Sequence, residues 1–505
     1  MPSASEQNDR FARWSPLAVL VLAGCVMLPL LGHRPLTDWD EGIYAQVARE
    51  MLGHSWLLPT WNGQPWFEKP PLAIWIVAIF YKLFGVSEWT ARLPSALAGM
   101  AVVTVVHAWL RRQRGLLTAW LGAAILLSTF GFLHIARVGE TDTLLTLGCV
   151  VTLIGLSRVV RSESRGWPLF WGGFAVALMT KGAASVVLLP VLVVALVMAR
   201  GKPGRSFWLS AAGFLAVVLP WHLYVYSRAG ATFVQEYVGY HVLARAAVPI
   251  EGHVTAWWFF VWVLLVSAPP FALLLPWALP AGFRHKELMP WAVFLVVDVL
   301  LFSLAHTRLP HYVAPVYPAL AVLVACLVAD KFVAWRREWG IRRLVVSAVL
   351  PGLGVLIFSM AATAHARRNL HSARTGEMRA HDERESDALL KRVFHAGRAG
   401  AGLAESSMPT GPLLVWRAGV PTSIATSVFY SGRPARQVVP GVVPAGIAID
   451  RYDQNPQSMA DALANGPRIL LADTALLSAL PPGMLYTRVA AGPTMEVGVI
   501  ELNTR

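Results

Sequence analysis

Apolar stretches of membrane-spanning length alternate with short polar segments along most of the chain. They fall at 15–32, 89–110, 116–136, 141–160, 168–181, 183–199, 206–226, 255–280, 288–305, 311–329 and 343–363. A helix needs about 20 apolar residues to cross the hydrocarbon core, so the pattern predicts about eleven spanning helices. The runs at 168–181 and 183–199 are short, and Lys181-Gly182 separates them. The first run follows Arg10 and Arg13, and no small-residue cleavage motif follows it, which predicts an uncleaved span. One more apolar stretch, 71–83, is too short to span and contains Lys82. Such a run suits an interfacial or re-entrant helix. With it on the surface, 33–88 forms one long loop.

Past residue 363 the pattern changes. Residues 365–398 are polar and charge-dense. Short apolar runs then alternate with Gly/Pro turns. Those at 412–416, 427–430, 469–472 and 497–502 predict strands, and 458–464 and 474–480 predict helices. The expected organisation is a membrane part over 1–363 and a small α/β domain over 364–505.

Charge orients this arrangement. With the N-terminus cytoplasmic, the inner loops carry Arg111, Arg112 and Arg114; Arg158, Arg161 and Arg165; Arg200, Lys202 and Arg205; Arg284 and Lys286; and Lys331, Arg336, Arg337, Arg342 and Arg343. All are basic, as the positive-inside rule requires. The 33–88 loop and the 364–505 domain are then expected outside. Composition agrees: charged residues are 14% of the chain, against about 25% in soluble domains. The net charge of +14 therefore reads as topology control rather than nucleic-acid binding. Cys25, Cys149 and Cys326 all lie inside apolar runs, without disulfide or metal spacing.

The candidate chemistry gathers on the outer side. In the first loop, Ile43, Val47 and Met51 repeat at helical spacing, as do Tyr44, Ala48 and Leu52. This predicts an amphipathic surface helix with Asp40 and Glu41 at its start. A carboxylate there is also an ordinary helix cap or dipole partner. Trp66-Phe67-Glu68-Lys69-Pro70-Pro71 presents an acid–base pair between aromatics and prolines, or simply an interfacial anchor. Arg137-Val138-Gly139-Glu140-Thr141-Asp142, Lys181, His253 and His306-Thr307-Arg308-Leu309-Pro310-His311-Tyr312 emerge on the same side. Lys and Arg suit a phosphate, a carboxylate suits deprotonation of a hydroxyl, and apolar helices suit a lipid tail. Together they suit transfer of a group from a lipid phosphate.

Five segments, in order, carry a resemblance. Asp40-Glu41-x-x-Tyr44-Ala45, Phe67-Glu68-Lys69-Pro70, Arg92-Leu93-Pro94-Ser95, Thr180-Lys181-Gly182 and Arg308-Leu309-Pro310-x-Tyr312 resemble the signature segments of bacterial polyprenyl-phosphate-dependent glycosyltransferases. These are membrane enzymes of the GT-C fold, including the lipid A aminoarabinose transferase and relatives of protein O-mannosyltransferases. The resemblance covers about 37–320 and implies an α-helical polytopic protein of about 11–13 spans with a periplasmic C-terminal α/β domain. It implies that Asp40 is the general base or orients the acceptor, with Asp142 a second acid and Glu41 a further candidate. Lys69, Lys181 and Arg308 would hold the donor phosphate. Glu68 and His253 would bind a divalent metal ion, zinc, magnesium or manganese. The partners implied are a polyprenyl-phosphate sugar donor, a lipid or protein acceptor and membrane lipids, in the bacterial inner membrane. Gly42-Ile43 departs from the Thr-Arg typical of the aminoarabinose transferase, which bears on the acceptor.

The expected activity is thus an inverting transfer of a sugar from undecaprenyl phosphate to lipid A or another envelope glycolipid, or alternatively to protein. No nucleotide site is expected, since the lipid phosphate is the leaving group. A lipid or sugar transporter would place ionisable residues near the centres of several spans, and Asp298 is the clear instance. A sensor or scaffold acting through the C-terminal domain would not need the polar first loop.

Overall fold

A computed structural model of the chain describes residues 4–37, 39–199, 203–244, 247, 256–344, 389–390, 393–394, 409, 411–416, 425–431, 435–439, 457–464, 466–491 and 495–503. The chain divides into two compact units. One comprises Met1–Leu31, Phe67–Leu83 and Trp89–Arg367, and the other Gly32–Trp66, Phe84–Glu88 and Arg368–Arg505. The long first loop is therefore shared between them, with Gly32–Trp66 grouped with the C-terminal residues.

The first unit is helical. Its elements are α1 (Ala4–Met27), α3 (Leu72–Phe84), α4 (Glu88–Arg114), α5 (Leu116–Ser128), α6 (Phe130–Ala136), α7 (Asp142–Val159), α8 (Gly166–Lys181), α9 (Leu188–Ala199), α10 (Arg205–Val234), α11 (Phe259–Ser267), α12 (Leu275–Arg284), α13 (Met289–Leu304) and α14 (Val316–Leu344). The intervening α2 (Asp40–Glu50) belongs to the other unit. Leu, Val, Ala and aromatic side chains of α1, α4–α9 and α11–α14 form one continuous core.

Small residues bring α7 and α8 to backbone contact. A Cβ on Gly148 would lie 2.7 Å from the nitrogen of Ala177, and one on Gly173 would lie 2.6 Å from the nitrogen of Thr152. Gly155 and Gly166 meet in the same way two turns further along. Helices in lipid gain little from apolar burial against one another, so close van der Waals packing at small residues joins them instead.

The expected spans at 168–181 and 183–199 form one uninterrupted helical run, Gly166–Ala199. As a straight rod this would be about 50 Å long. Yet the Ser206 hydroxyl, at the start of α10, donates to the Ser164 carbonyl just before α8 at 3.0 Å. Residues 199 to 206 can reach only about 25 Å. So α8 and α9 run antiparallel as two spans. The reversal is at Gly182, whose φ of 52° and ψ of −118° suit only glycine.

Two other expected spans are broken. The 116–136 run bends by 71° between α5 and α6, and the 255–280 run bends by 119° between α11 and the stretch leading into α12. Pro269-Pro270 lies at the second break, where neither residue can donate to a helix. The 206–226 run continues through α10 to a break at Gly230, φ 54° and ψ −129°. The 343–363 span lies almost wholly outside the described residues.

Two sets of contacts define the ends of the bundle. At one end Arg114 pairs with Glu287 at 2.9 Å, Arg161 donates to Gln113 and Ser206 meets Ser164. These are the basic loops. At the other end Arg92 donates to the Leu31 carbonyl at 3.0 Å, and Arg137 closes the end of α1 through the carbonyls of Val26 and Met27. Ser95 donates to the Glu140 carbonyl at 2.9 Å, and Lys181 pairs with Asp142. The chain enters and leaves α3 at this second end.

The second unit contains a mixed six-stranded sheet, ordered β5-β4-β3-β6-β8-β7. The strands are β3 (Leu413–Trp416), β4 (Ala435–Val439), β5 (Gln457–Ser458), β6 (Arg468–Asp473), β7 (Met484–Ala491) and β8 (Met495–Leu502). β3 pairs in parallel with β4 and β6, and β8 is antiparallel to β6 and β7. A two-stranded ribbon in the first loop, β1 (Thr60–Trp61) with β2 (Gln64–Pro65), is separate from it. Strands are present as expected within 412–416, 469–472 and 497–502. Residues 427–430 are not a strand but part of helix α15 (Ala425–Ser431). A run of Val-Phe-Tyr this short cannot be assigned by periodicity. The Ser458 hydroxyl accepts from the Asp461 amide and caps α16 (Met459–Leu463).

The reversal at Gly182 is testable by labelling single cysteines in intact cells. Glu163→Cys and Pro203→Cys should react from the same side, and Ala183→Cys from the other. Labelling of positions 163 and 203 from opposite sides would mean that the chain does not reverse between them.

Candidate active site

In the second unit, α2 buries Ile43, Tyr44, Val47 and Ala48. The first loop is fixed by its own contacts. Arg49 donates to the Phe429 carbonyl, and Asn62 exchanges two hydrogen bonds with the backbone of Ala435, at 2.9 and 3.0 Å. The Leu36 amide donates to the Tyr430 hydroxyl at 2.8 Å. Glu50 accepts from the Thr60 hydroxyl at 2.6 Å and the Asn62 amide at 2.8 Å. This carboxylate supports the loop rather than facing a ligand.

Asp40 and Glu41 have different surroundings. The buried Glu41 carboxylate accepts from the Thr37 amide at 2.7 Å and the Thr37 hydroxyl at 3.0 Å, closing the turn into α2. Asp40 is the first helical residue and is partly exposed. The capping position is Trp39, and no side chain caps α2. Trp39 has φ 71° and ψ −129°, a strained backbone for a non-glycine residue, which costs about 1–3 kcal/mol. Strain of this kind clusters at functional sites. It sets Asp40 apart from a cap.

In the helical unit, the Lys181 ammonium bonds both oxygens of Asp142, at 2.7 and 2.8 Å. Their side chains are 9% and 3% exposed. Asp142 opens α7 and Lys181 closes α8, so each charge meets the favourable end of its helix dipole. The Lys181 nitrogen also lies 5.7 Å from the centre of the Tyr312 ring. Lys69 and His311 are within electrostatic reach of Asp142. Lys69 itself bonds Glu68 Oε1 at 2.6 Å. His241 is also near, its Nδ1 4.0 Å from the same Glu68 oxygen. The result is a largely buried cluster with lysines on two sides and histidines at its edge, able to receive an anion.

Lys69, Glu68, Asp142 and Lys181 thus come together as the sequence predicts. Arg308 closes α13, donating to the Ser303 carbonyl from Nε at 3.2 Å and Nη2 at 2.9 Å. His253 lies outside the described residues, and the histidine beside Glu68 is His241. His241 and the ring of Tyr312 were not singled out as site residues from sequence. Tyr312 sat within a quoted motif, but His241 follows a break at Gly230 that gives no distance cue. Among the described residues no group of three or more His, Cys, Asp or Glu could hold a metal ion.

The pair makes a stability prediction. Lys181→Ala leaves the Asp142 charge buried and unpaired, which should cost about 3–5 kcal/mol. The double variant Asp142→Asn/Lys181→Met leaves no such charge and should recover part of the loss. Thermal unfolding in detergent measures both. A Lys181→Ala protein as stable as wild type would mean that the pair is not buried as described.

Residues 68–224 match the dolichyl-phosphate-mannose-protein mannosyltransferase family. The chain is 27% identical over 450 residues to the undecaprenyl phosphate-alpha-4-amino-4-deoxy-L-arabinose arabinosyl transferase of Pseudomonas aeruginosa strain LESB58, covering 86% of this chain and 79% of that one. A Pseudomonas fluorescens Pf-5 protein of the same name is 30% identical over 334 residues, covering 63% of this chain and 57% of its own length. The fold matches that of ArnT from Cupriavidus metallidurans bound to undecaprenyl phosphate, with a TM-score of 0.70 at 21% identity, covering 96% of this chain and 97% of that one. The apo form of the same protein matches with the same TM-score, over 98% of both chains. With a lysine-rich anion cluster at one end of such a bundle, the chain is a multi-pass membrane glycosyltransferase of the GT-C fold, similar to the aminoarabinose transferases.

Proposed function

We propose that the protein transfers a sugar from an undecaprenyl-phosphate carrier to a periplasmic acceptor, lipid A or another envelope glycolipid, in the manner of a 4-amino-4-deoxy-L-arabinose transferase. The observation that carries the donor assignment is the convergence of Lys181 and Lys69 on Asp142. The named relatives support the sugar and the carrier. The site would face the periplasm from the bacterial inner membrane, opposite the basic loops. Protein as acceptor is the second reading, favoured by the mannosyltransferase family match over residues 68–224.

In this reaction an acceptor oxygen attacks the anomeric carbon. The bond from that carbon to the phosphate oxygen breaks, the phosphate leaves with the electron pair, and the configuration inverts. Lys69 and Lys181, with Arg308 as a further cation, oppose the charge that grows on the leaving phosphate. Asp40 takes the acceptor proton or orients the acceptor. Asp142 holds the Lys181 ammonium in place, and Glu41 holds the turn that presents Asp40.

A divalent metal ion is a further element of the proposal. Glu68 and His241 supply two ligands, fewer than the three protein ligands usual at catalytic zinc sites. A phosphate oxygen and water would have to complete the shell, as is common for magnesium. Lys69 shares the Glu68 oxygen, so it would have to move aside. When bound, the ion would neutralise phosphate charge. Elemental analysis of purified protein should find the metal and find less in Glu68→Ala and His241→Ala. Equal metal content in all three would remove these residues as ligands.

Mass spectrometry of lipid A and envelope glycans from a deletion strain should show the loss of one sugar, which names both sugar and acceptor. An unchanged glycan profile alongside an under-glycosylated periplasmic protein would select the second reading. Asp40→Asn keeps size and capping ability but removes the charge. It should lower transfer by about 10²–10⁴-fold, the usual range for a general base, with thermal stability near wild type. Transfer above about a tenth of the normal rate would return Asp40 to a structural role and turn attention to Asp142.

A further inference from the structure

The two lysine-bearing segments are about a hundred residues apart in sequence, and one stretch of chain touches both. Beyond the break at Gly230, Phe233, Tyr237 and His241 recur at intervals of four. Helical side chains so spaced share a face. Phe233 meets the Phe67 ring edge to face at 5.6 Å, next to Glu68 and Lys69. Phe233 stacks on Tyr237 at 5.2 Å with the rings 9° from parallel. The Tyr237 hydroxyl lies directly over Gly182, where a Cβ would collide with it and would sit 3.1 Å from Cζ. Gly182 follows Lys181 and reverses the chain. His241 completes the face against Glu68 at 4.0 Å. Phe67, Phe233, Tyr237 and Gly182 thus form a continuous train of packed groups from one lysine segment to the other.

We infer that Tyr237 is a positioning residue, the strut between the Lys181-Gly182 turn and the Phe67-Glu68-Lys69 segment, which sets the spacing at which the two lysines grip one phosphate. The inference rests on the donor-site reading proposed above. Tyr237 acts through Lys181 and Lys69. A lysine is a point charge on a flexible stem, so the backbone that carries it must be fixed for two lysines to share one anion. The contact is steric: the ring wedges against an exposed Cα, and glycine at 182 allows that approach. Phe233 is the second joint of the same strut.

The test is the affinity of purified protein for undecaprenyl phosphate and, in parallel, for undecaprenol, which lacks the phosphate. Tyr237→Leu keeps apolar bulk but does not reach Gly182. It should weaken undecaprenyl phosphate binding by about tenfold, as a small misplacement of a positioned group does, and leave undecaprenol binding unchanged. Phe233→Leu should do the same through the other joint, and decides the matter if Tyr237→Leu does not fold. Tyr237→Phe loses the hydroxyl over Gly182 but keeps the ring edge, Cζ and Cε2, that faces the same residue, and should bind within about twofold of wild type, since the contact is packing rather than a hydrogen bond. Lys181→Gln removes the charge and keeps a hydrogen-bond donor for Asp142. In that background Tyr237→Leu should cost nothing further, because a residue that acts through another is not additive with it. Wild-type binding by Lys181→Gln would defeat the donor-site reading itself. Weakened binding by Lys181→Gln would leave that reading standing. The strut is then overturned if both leucine variants bind normally, if their loss persists undiminished beside Lys181→Gln, if undecaprenol binding falls in parallel, or if Tyr237→Phe fails to restore.

Discussion

The buried pair between Asp142 and Lys181 is the constraint around which the helical unit is organised. Each charge alone would carry a desolvation penalty of several kcal/mol in such surroundings. Together, with two short hydrogen bonds, they can occupy the apolar bundle. The pair locks the start of α7 to the end of α8, at one limit of the glycine-lined contact between those helices. It fixes which end of the bundle holds the polar cluster. The chain turns back immediately after Lys181, at Gly182.

A buried pair of this kind is poor evidence of stability for its own sake, since apolar side chains of similar volume often serve as well. Its presence beside Lys69, His311 and Tyr312 makes better sense as a prepared charge. In the proposed reaction an arriving phosphate would meet an ammonium already oriented and partly desolvated, so little reorganisation would be needed at the moment of reaction. The same preparation explains why Glu68 stands beside Lys69. Carboxylates hold both lysines while the site awaits an anion.

The distribution of ionisable groups separates transfer chemistry from transport. Among the described residues, charged side chains gather at the two ends of the bundle, and few lie within its core. Asp298 is one of them, fully buried on α13 and with no hydrogen-bond partner for either oxygen among the described residues. A transported solute would need a path of such groups through several spans. The second unit presents Asp40 differently, on a loop pinned by Arg49, Asn62 and Glu50. Its strained neighbour Trp39 has no counterpart in an ordinary helix start.

By itself the sequence determined the membrane class, the basic end of the bundle and the lysines and carboxylates worth naming. These follow from local quantities: run length, charge in short loops and the residue types in each motif. Half of the strands of the C-terminal sheet, β3, β6 and β8, were legible for the same reason, because alternation and Gly/Pro punctuation are local. Tertiary structure alone decided the rest. The short run at 427–430 became a helix because its surroundings, not its propensity, set its conformation. The break in the 116–136 span depends on packing that hydropathy does not record. Glu41 and Arg308 are named from sequence for their charge, and the structure adds that they also bond Thr37 at a turn and Ser303 at a helix end. His241 and Tyr237 are not named from it, because Gly230 redirects the chain and periodicity cannot be carried across such a break. Which lysine meets which carboxylate is a contact between residues 39 positions apart, and only the folded chain brings them within hydrogen-bond reach.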